Sequence, residues 1–250
     1  MKEYFNKIYK NSKTKFYDIV KHKLENNQKL FVITANPETL MIAENNINFK
    51  TALLDDETTI IADGIGVVKG GRYLKYTIEE TVPGVDLCTK LFEYCNKLNK
   101  SIFLFGSTED VIKKLVQVVN SQYPNAKICG YKNGFVEDKQ SVFDEIIELK
   151  PDVVLVALGI PEQELLIYNN LNKFSKGIFV GVGGSFDVLS GTKKRAPRIY
   201  RKLHLEWLYR IMKEPKRFKR FFNSNIKYIF RIIHCKKGNK NENFDNNSSI

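Results

Sequence analysis

Short runs of consecutive apolar residues alternate along the chain with stretches in which apolar residues recur every three or four positions. The runs are typical of buried strands and cover Leu30–Thr34, Thr58–Ala62, Ser101–Phe105, Ala126–Cys129, Asp152–Ala157 and Gly177–Gly181. Predicted helices cover Pro37–Asn46, Pro83–Leu98, Thr108–Gln122, Lys139–Lys150 and Pro161–Lys173. This alternation predicts an α/β, Rossmann-like parallel sheet with helices on both faces.

The pattern changes near Ser190, where strand-like runs stop and the chain becomes helical, basic and aromatic. Pro215 divides this part into predicted segments 198–214 and 215–234. Apolar residues share one face of the second segment: Phe218, Phe221, Phe222, Ile226, Ile229 and Ile233. Basic residues fall largely on the other face: Lys216, Arg217, Lys219, Arg220, Lys227 and Arg231. Such a helix either lies in a membrane interface, or docks on its own domain or a second subunit.

The charge is unevenly distributed. Forty Lys and Arg against 28 Asp and Glu give a net charge of +12. Residues 1–192 hold 23 basic and 24 acidic residues, whereas residues 193–240 hold 17 and 2. The surplus therefore belongs to the last fifth of the chain and indicates an anionic partner there. We expect a catalytic core over 1–192, a membrane-associating helical appendage over 193–240 and a disordered tail over 241–250.

Several classes of protein are disfavoured. Four cysteines without a CxxC pair, and no signal peptide, indicate a reduced, cytosolic protein: Cys88, Cys95, Cys129 and Cys235. Three histidines without ligand spacing argue against a zinc site. The sequence contains no run of about 18 apolar residues, so membrane contact is expected from the surface only.

Polar residues follow the first two strands, at the sheet edge where such folds bind ligands. Thr34 and Asn36 follow the first, although Asn36 could equally be a helix cap. Asp63 follows the second and could serve as a general base that accepts a proton from a hydroxyl nucleophile. The alternatives for Asp63 are a capping residue or part of a dinucleotide fingerprint, which Lys69 leaves incomplete.

The loops after the fifth and sixth strands are rich in glycine. Gln163 offers a donor and an acceptor to a sugar, and the loop with Gly183, Gly184 and Asp187 suits phosphate or ribose without a cation. Tight packing between strands and helices explains only some of these glycines. The acidic run 55–57 precedes a strand, which favours a solvated turn over a metal site.

Together these fragments resemble the WecG/TagA/CpsF family, glycosyltransferase family 26, from about Lys29 to Arg220. The matching segments are Thr34–Glu38, Ala62–Gly66, Gly84–Leu87, Gly159–Glu164, Gly181–Asp187, Arg195–Pro197, Leu205–Arg210 and Glu214–Arg220. One such segment is weak evidence, but eight in this order are specific.

The resemblance implies an inverting transfer of a sugar from a UDP donor to a sugar on undecaprenyl diphosphate, at the cytoplasmic face of the membrane. It is closest to the teichoic acid branch, which moves N-acetylmannosamine from UDP-N-acetylmannosamine to the 4-hydroxyl of N-acetylglucosamine in a β-1,4 linkage. Other members use glucose or N-acetylmannosaminuronic acid for capsules and exopolysaccharides. No metal or other cofactor is implied.

The resemblance also assigns residues. Asp63 becomes the general base and Thr34 a second catalytic residue. Substrate-binding positions are Asn36, Gln163, Gly183, Gly184, Asp187, Arg210, Arg217 and Arg220, of which the three arginines would engage diphosphates and complete the site from the appendage. Family members near the teichoic acid branch commonly carry an arginine that helps the leaving diphosphate where this chain has Thr81. Either an arginine of the appendage substitutes for it, or the donor or the rate differs.

Two other functions fit parts of the sequence. The basic segment could track nucleic acid, but its apolar face favours a lipid surface, so we expect no nucleic-acid partner. A nicotinamide oxidoreductase would use the glycine loops. The apolar face could also bury itself in a homo-oligomer in solution.

Overall fold

A computed structural model describes residues 1–214 and 216–245, apart from the side chains of residues 216, 217, 220, 221 and 237–245. Its centre is a sheet of six parallel strands in the order β2-β1-β6-β5-β3-β4. The strands are β1 Lys29–Ala35, β2 Thr58–Ala62, β3 Ser101–Gly106, β4 Lys127–Lys132, β5 Val153–Ala157 and β6 Gly177–Gly181. The predicted parallel α/β fold is confirmed.

Helices cover both faces of the sheet. In the core they are α1 Lys2–Lys7, α2 Lys13–Glu25, α3 Pro37–Asn45, α4 Ile47–Leu54, α5 Ile65–Tyr73, α6 Gly84–Leu98, α7 Glu109–Gln122, α8 Lys139–Leu149, α9 Glu162–Asn170 and α10 Ser185–Leu189. Beyond the core follow α11 Arg198–Lys202, α12 Glu206–Lys213 and α13 Lys216–Asp245. A short 3-10 helix, Leu171–Lys173, follows α9.

The sheet reverses its winding between β1 and β6. These strands are neighbours, yet α3 after β1 buries Leu40 on one face, while α10 after β6 buries Phe186 on the other. Parallel sheets open a crevice at such a point, outside the carboxyl ends of the strands. The fold therefore places the predicted residues after β1, β2 and β6 around one crevice.

Five core helices were missed in the sequence: α1, α2, α4, α5 and α10. The lysine-rich start folds into α1 and α2, which bury residues such as Phe5, Phe16 and Val20 between exposed lysines. The stretch after Asp63, which the sequence pattern did not assign, is α5. Glycine is tolerated in α5 because neighbours lie very close; a Cβ at Gly66 would lie 2.8 Å from the Pro37 ring.

The C-terminal part is built differently from the two predicted segments. The first segment is two short helices, α11 and α12, separated by a turn in which His204 has a left-handed φ of 58°. The second is α13, which extends past residue 234 to Asp245. Pro215 and residues 246–250 lie outside the described part of the chain, and the proposed division at residue 192 remains a prediction.

Helix α13 docks on the core through one face. Tyr228 and Ile232 are only 4% and 5% exposed, and the Tyr228 hydroxyl donates to the Gly66 carbonyl at 3.3 Å. Arg231 forms an ion pair with Glu44 of α3 at 2.7 Å. Although burial opposes it, this ion pair lowers the pKa of Glu44. We call Tyr228, Ile232 and the half-buried Cys235 the docking face.

The predicted apolar face lies roughly 100° around the axis from the docking face, at about 100° per residue. Its members Phe218, Phe222, Ile229 and Ile233 are 36–55% exposed, and we call them the open face. The Phe221 side chain is outside the described residues, and Ile226 is half-buried. Docking on its own domain thus occurs, but through residues other than those predicted. None of the described helices has the length and apolar content needed to cross a bilayer.

Candidate functional site

Thr34 and Asn36 stand at the end of β1, beside the reversal point. Thr34 is 8% exposed, and its hydroxyl donates to the Gly181 carbonyl of β6 at 3.3 Å, so it bridges the two strands. The Asn36 side-chain oxygen accepts from the Thr39 N–H at 3.0 Å, and the Asn36 N–H donates to the Thr39 hydroxyl at 3.2 Å. Asn36 therefore caps α3, the local role that the sequence left open for it.

Asp63 projects into the same crevice from the end of β2. Burial raises the pKa of Asp63 to about 6. Arg210 and the Gly84 N–H, which donates to the carboxylate, oppose this shift, whereas the negative charges of Glu206 and Asp86 add to it. A carboxyl group with this pKa is mostly ionised at pH 7 and can still take a proton. That combination suits a general base.

Gly84 marks the place where four segments meet. A Cβ built there would lie 3.5 Å from the Ser185 hydroxyl, 3.6 Å from Thr34 Cγ2 and 3.9 Å from Asp63 Oδ2. These residues come from α6, α10, β1 and the end of β2. The absence of a side chain at Gly84 leaves room beside the candidate base.

Gln163 fastens two glycine loops together. It is 1% exposed, and its Oε1 accepts from the N–H groups of Gly159 and Gly183, both at 3.1 Å. Its Nε2 donates to Glu164 Oε1 at 2.6 Å. The loop after β5 is thereby tied to the loop after β6, which is a structural task that the sequence did not indicate. Contact between Gln163 and a sugar stays a prediction.

Glu164 was missed in the sequence. Its side chain is fully buried, and burial raises its pKa to about 7, while the bond from Gln163 opposes the shift. Oε2 is buried without a hydrogen-bond partner among the described residues. The available signal was helical spacing, because Glu164 lies three residues before buried Ile167 on α9.

Across the crevice, the appendage contributes a basic wall. A cavity of about 380 Å³ lies between α10 and α12. It is lined by Gly184, Val188, Lys193, Lys194, Arg195, Ala196, Glu206, Tyr209, Arg210, Lys213 and Glu214. Five of these lining residues are cationic and two are acidic, which suits an anionic ligand. The predicted residues Gly184 and Arg210 therefore lie on this wall.

Ion pairs connect this wall to the core. Arg195 Nη2 lies 2.6 Å from Asp86 Oδ1 of α6, and Arg195 Nε lies 3.6 Å from Glu206 Oε1 of α12. Arg210 Nη2 lies 3.5 Å from the same Glu206 oxygen. A continuous line of charge thus runs from α6 to α12 next to Asp63. No local sequence pattern indicated a role for Arg195, Asp86 or Glu206, since only the fold brings them together.

Other predicted residues lie elsewhere or beyond description. Asp187 pairs with Lys193 at 3.3 Å, at the edge of the cavity. The side chains of Arg217 and Arg220 are outside the described residues. The acidic run 55–57 precedes β2, at the opposite end of the strands from the crevice, where Asp55 accepts from the Tyr168 hydroxyl at 2.9 Å. Within the part of the chain that is described, no three His, Cys, Asp or Glu residues form a metal-binding group.

Comparisons with known proteins point to one family. The model of the glycosyl transferase WecG/TagA/CpsF family matches residues 5–242. A Bacillus subtilis protein is 39% identical over 228 residues, covering 91% of this chain and 88% of its own, and a Staphylococcus aureus protein is 33% identical over 214 residues, covering 85% and 83%. Both are named N-acetylglucosaminyldiphosphoundecaprenol N-acetyl-beta-D-mannosaminyltransferase.

Proposed function

The chain belongs to the WecG/TagA/CpsF family of glycosyl transferases, and on that premise we propose that it transfers N-acetylmannosamine from UDP-N-acetylmannosamine to N-acetylglucosamine on undecaprenyl diphosphate. The observation that carries the proposal is that Asp63, a candidate base, lies within electrostatic reach of Arg210, which lines a cationic cavity wall. The names of the similar Bacillus and Staphylococcus proteins support this donor sugar and this acceptor.

In this reaction the 4-hydroxyl of the acceptor sugar approaches Asp63. The Asp63 carboxylate takes the hydroxyl proton while the oxygen forms a bond to the anomeric carbon of the donor. The bond from that carbon to the diphosphate oxygen breaks, and UDP leaves with the electron pair. Attack opposite the leaving group inverts the anomeric carbon and gives the β-1,4 linkage. Thr34 orients the reacting sugars beside Gly84.

The basic wall takes the negative charge of the reaction. Arg210 and Lys213 line the cavity, and Lys213 lies one turn further along α12. A guanidinium can neutralise a diphosphate in the place of a metal ion, so we propose that turnover needs no metal. Thr81 cannot supply the charge of the arginine that family members carry at this position. The arginines of the appendage, including Arg217 and Arg220, would take over the role of that arginine.

The open face of α13 suits the lipid that carries the acceptor. Its exposed aromatic and aliphatic side chains belong to a segment rich in lysine and arginine, which favours an anionic membrane surface. We propose peripheral association with the cytoplasmic face of the membrane. Flotation with anionic vesicles tests it: binding to nucleic acid but not to vesicles would contradict this placement.

Turnover with a panel of UDP-sugars and a short-chain lipid-linked N-acetylglucosamine tests the reaction. We expect UDP-N-acetylmannosamine to be preferred, turnover to survive EDTA, and Asp63→Ala to lower it by about 10²–10⁴-fold. Preference for UDP-glucose would change the donor, and strict metal dependence would contradict the proposal that cationic side chains neutralise the diphosphate in the place of a metal ion. Full turnover by Asp63→Ala would remove Asp63 from the base role.

A further inference from the structure

Arg195 lies between two acidic side chains that belong to different parts of the molecule. It pairs with Asp86 of core helix α6 at 2.6 Å and approaches Glu206 of appendage helix α12 at 3.6 Å. Its side chain is 25% exposed, so water screens these contacts only partly. Arg195 is thus placed to neutralise both carboxylates at once.

Asp86 and Glu206 matter because each raises the pKa of Asp63. A general base works only in its ionised form, and nearby negative charge opposes that form. A cation that neutralises the two neighbours therefore favours ionised Asp63 without touching Asp63 or a substrate.

We propose that Arg195 is a positioning residue that binds Asp86 and Glu206, the acidic pair beside Asp63, and so keeps Asp63 ionised for its role as base. The inference rests on the proposed function, in which Asp63 accepts the proton of the acceptor hydroxyl. Arg195 acts through the two carboxylates and takes no part in the bond changes.

The other charged and titratable groups around Asp63 do not replace Arg195. Helix α6 presents Asp86 and the Cys88 thiol, and burial raises the pKa of that thiol well above its usual range, so it carries no charge. Helix α12 presents Glu206 and Arg210. Of the charges with the largest effect on Asp63, the carboxylates of Asp86 and Glu206 and the guanidinium of Arg210 would remain after loss of Arg195.

The pH dependence of kcat/KM in the full chain tests the proposal, with UDP-N-acetylmannosamine and lipid-linked N-acetylglucosamine. Arg195→Met should move the acid limb, set by Asp63 near pH 6, to higher pH by about 0.5–1 unit. Glu206→Gln should move it to lower pH, and the double variant should lie close to the parent. Arg195→Lys should keep most of the parent profile.

Lys193→Met is the matched control. Lys193 lines the same cavity and pairs with Asp187 at 3.3 Å and Glu214 at 3.0 Å, neither of which is among the charges with the largest effect on Asp63. Its acid limb should therefore stay in place even if its turnover falls. An equal shift in Lys193→Met and Arg195→Met would overturn the proposal, because any lost cation would then have the same effect.

Carboxyl ¹³C NMR of aspartate-labelled protein gives a readout that needs no turnover. Asp63→Asn assigns the Asp63 signal, and its titration should move upward in Arg195→Met and downward in Glu206→Gln. If these shifts occur without transfer of any sugar, the proposed function fails and the electrostatic role stands. If the parent transfers sugar and neither variant moves the titration, the role of Arg195 is wrong. Should Arg195→Met fail to fold, an unmoved Glu206→Gln signal is sufficient to reject it.

Discussion

The core and the appendage differ in how completely their side chains are buried. In the core, the inner strands are buried along almost their whole length, and residues such as Phe31 and Val180 have no exposed surface. In α13, only two described side chains, Tyr228 and Ile232, are buried, and the open face remains in contact with solvent. Dense packing fixes Asp63 and Thr34 rigidly, whereas the basic wall belongs to elements held by few contacts. The site therefore joins a rigid base to cations that can adjust to a ligand.

Removal of the appendage should have the largest effect. A chain ending at residue 192 keeps the six-stranded sheet and both apolar layers except for the docking face of α13, so we expect it to unfold cooperatively. It loses Arg210 and the rest of the basic wall, and turnover should fall by more than about 10³-fold. Thermal unfolding and turnover on short-chain acceptors measure the two effects separately.

Arg210→Met in the full chain is the control for that truncation. It removes one cation of the wall and leaves α12 and α13 in place, so it should lower turnover without altering membrane binding. Normal turnover by the truncated chain would show that the core alone contains the whole site, and it would contradict the claim that the appendage supplies the basic wall.

Asp63→Asn should separate function from stability within the core. The pKa of Asp63 is about 6 in the folded chain and about 3.9 in unfolded peptides, so the folded state binds the proton more tightly. The stability that this proton provides is present at pH 4 and is lost as pH rises through 6. Asp63→Asn should therefore raise the free energy of unfolding by about 1–2 kcal/mol at pH 8 and by little at pH 4.

The measurement is denaturant unfolding of parent and Asp63→Asn at both pH values. Asp187→Asn serves as control. Asp187 forms an ion pair with Lys193, so this variant should be less stable than the parent because the ion pair is lost. Equal stability of parent and Asp63→Asn at pH 8 would mean that the Asp63 carboxyl is well solvated, which removes the basis for its raised pKa.

The fold could be predicted where side chains are buried on both sides. A continuous apolar run such as β5 can be interpreted only as a buried strand. In α2, by contrast, the buried residues Phe16 and Val20 are separated by solvent-exposed polar residues, including lysines. Helix α5 was missed for another reason: its glycines suggest a loop until Pro37 and Tyr228 are known to lie against them. Contacts between distant segments carried that information.

The site could be predicted where position along a strand decides it. Asp63 and Thr34 follow strands, and parallel strands bring their carboxyl ends to one edge. Gln163 was recognised as important, but its bonds to two loops depend on the spatial order of β5 and β6. The Asp86–Arg195–Glu206 cluster spans 120 residues of sequence, so no local pattern could indicate it.

Gly70→Ala should disturb the contact between the two regions. A Cβ at Gly70 would overlap the Tyr228 hydroxyl, so α13 must shift or detach. Overpacking of this kind costs about 1–3 kcal/mol, and hydrogen exchange in α13 should rise while the sheet stays protected. Gly70→Ala with Tyr228→Phe removes the overlapping oxygen and should restore part of the protection. Unchanged exchange in Gly70→Ala would mean that α13 does not dock through Tyr228.

Arg231→Met should have the smallest effect, because an exposed ion pair contributes little. The Arg231 side chain is 51% exposed, whereas that of Glu44 is 9% exposed. Glu44 Oε1 also forms an ion pair with the Met1 amine at 3.3 Å. Loss of Arg231 should therefore weaken docking of α13 by about 0.3–1 kcal/mol, and the loss should shrink in high salt. Hydrogen exchange at low and high salt measures it, with Lys227→Met on the exposed side of α13 as control. A loss as large as that in Gly70→Ala would show that the ion pair, and not Tyr228, holds the appendage on the core.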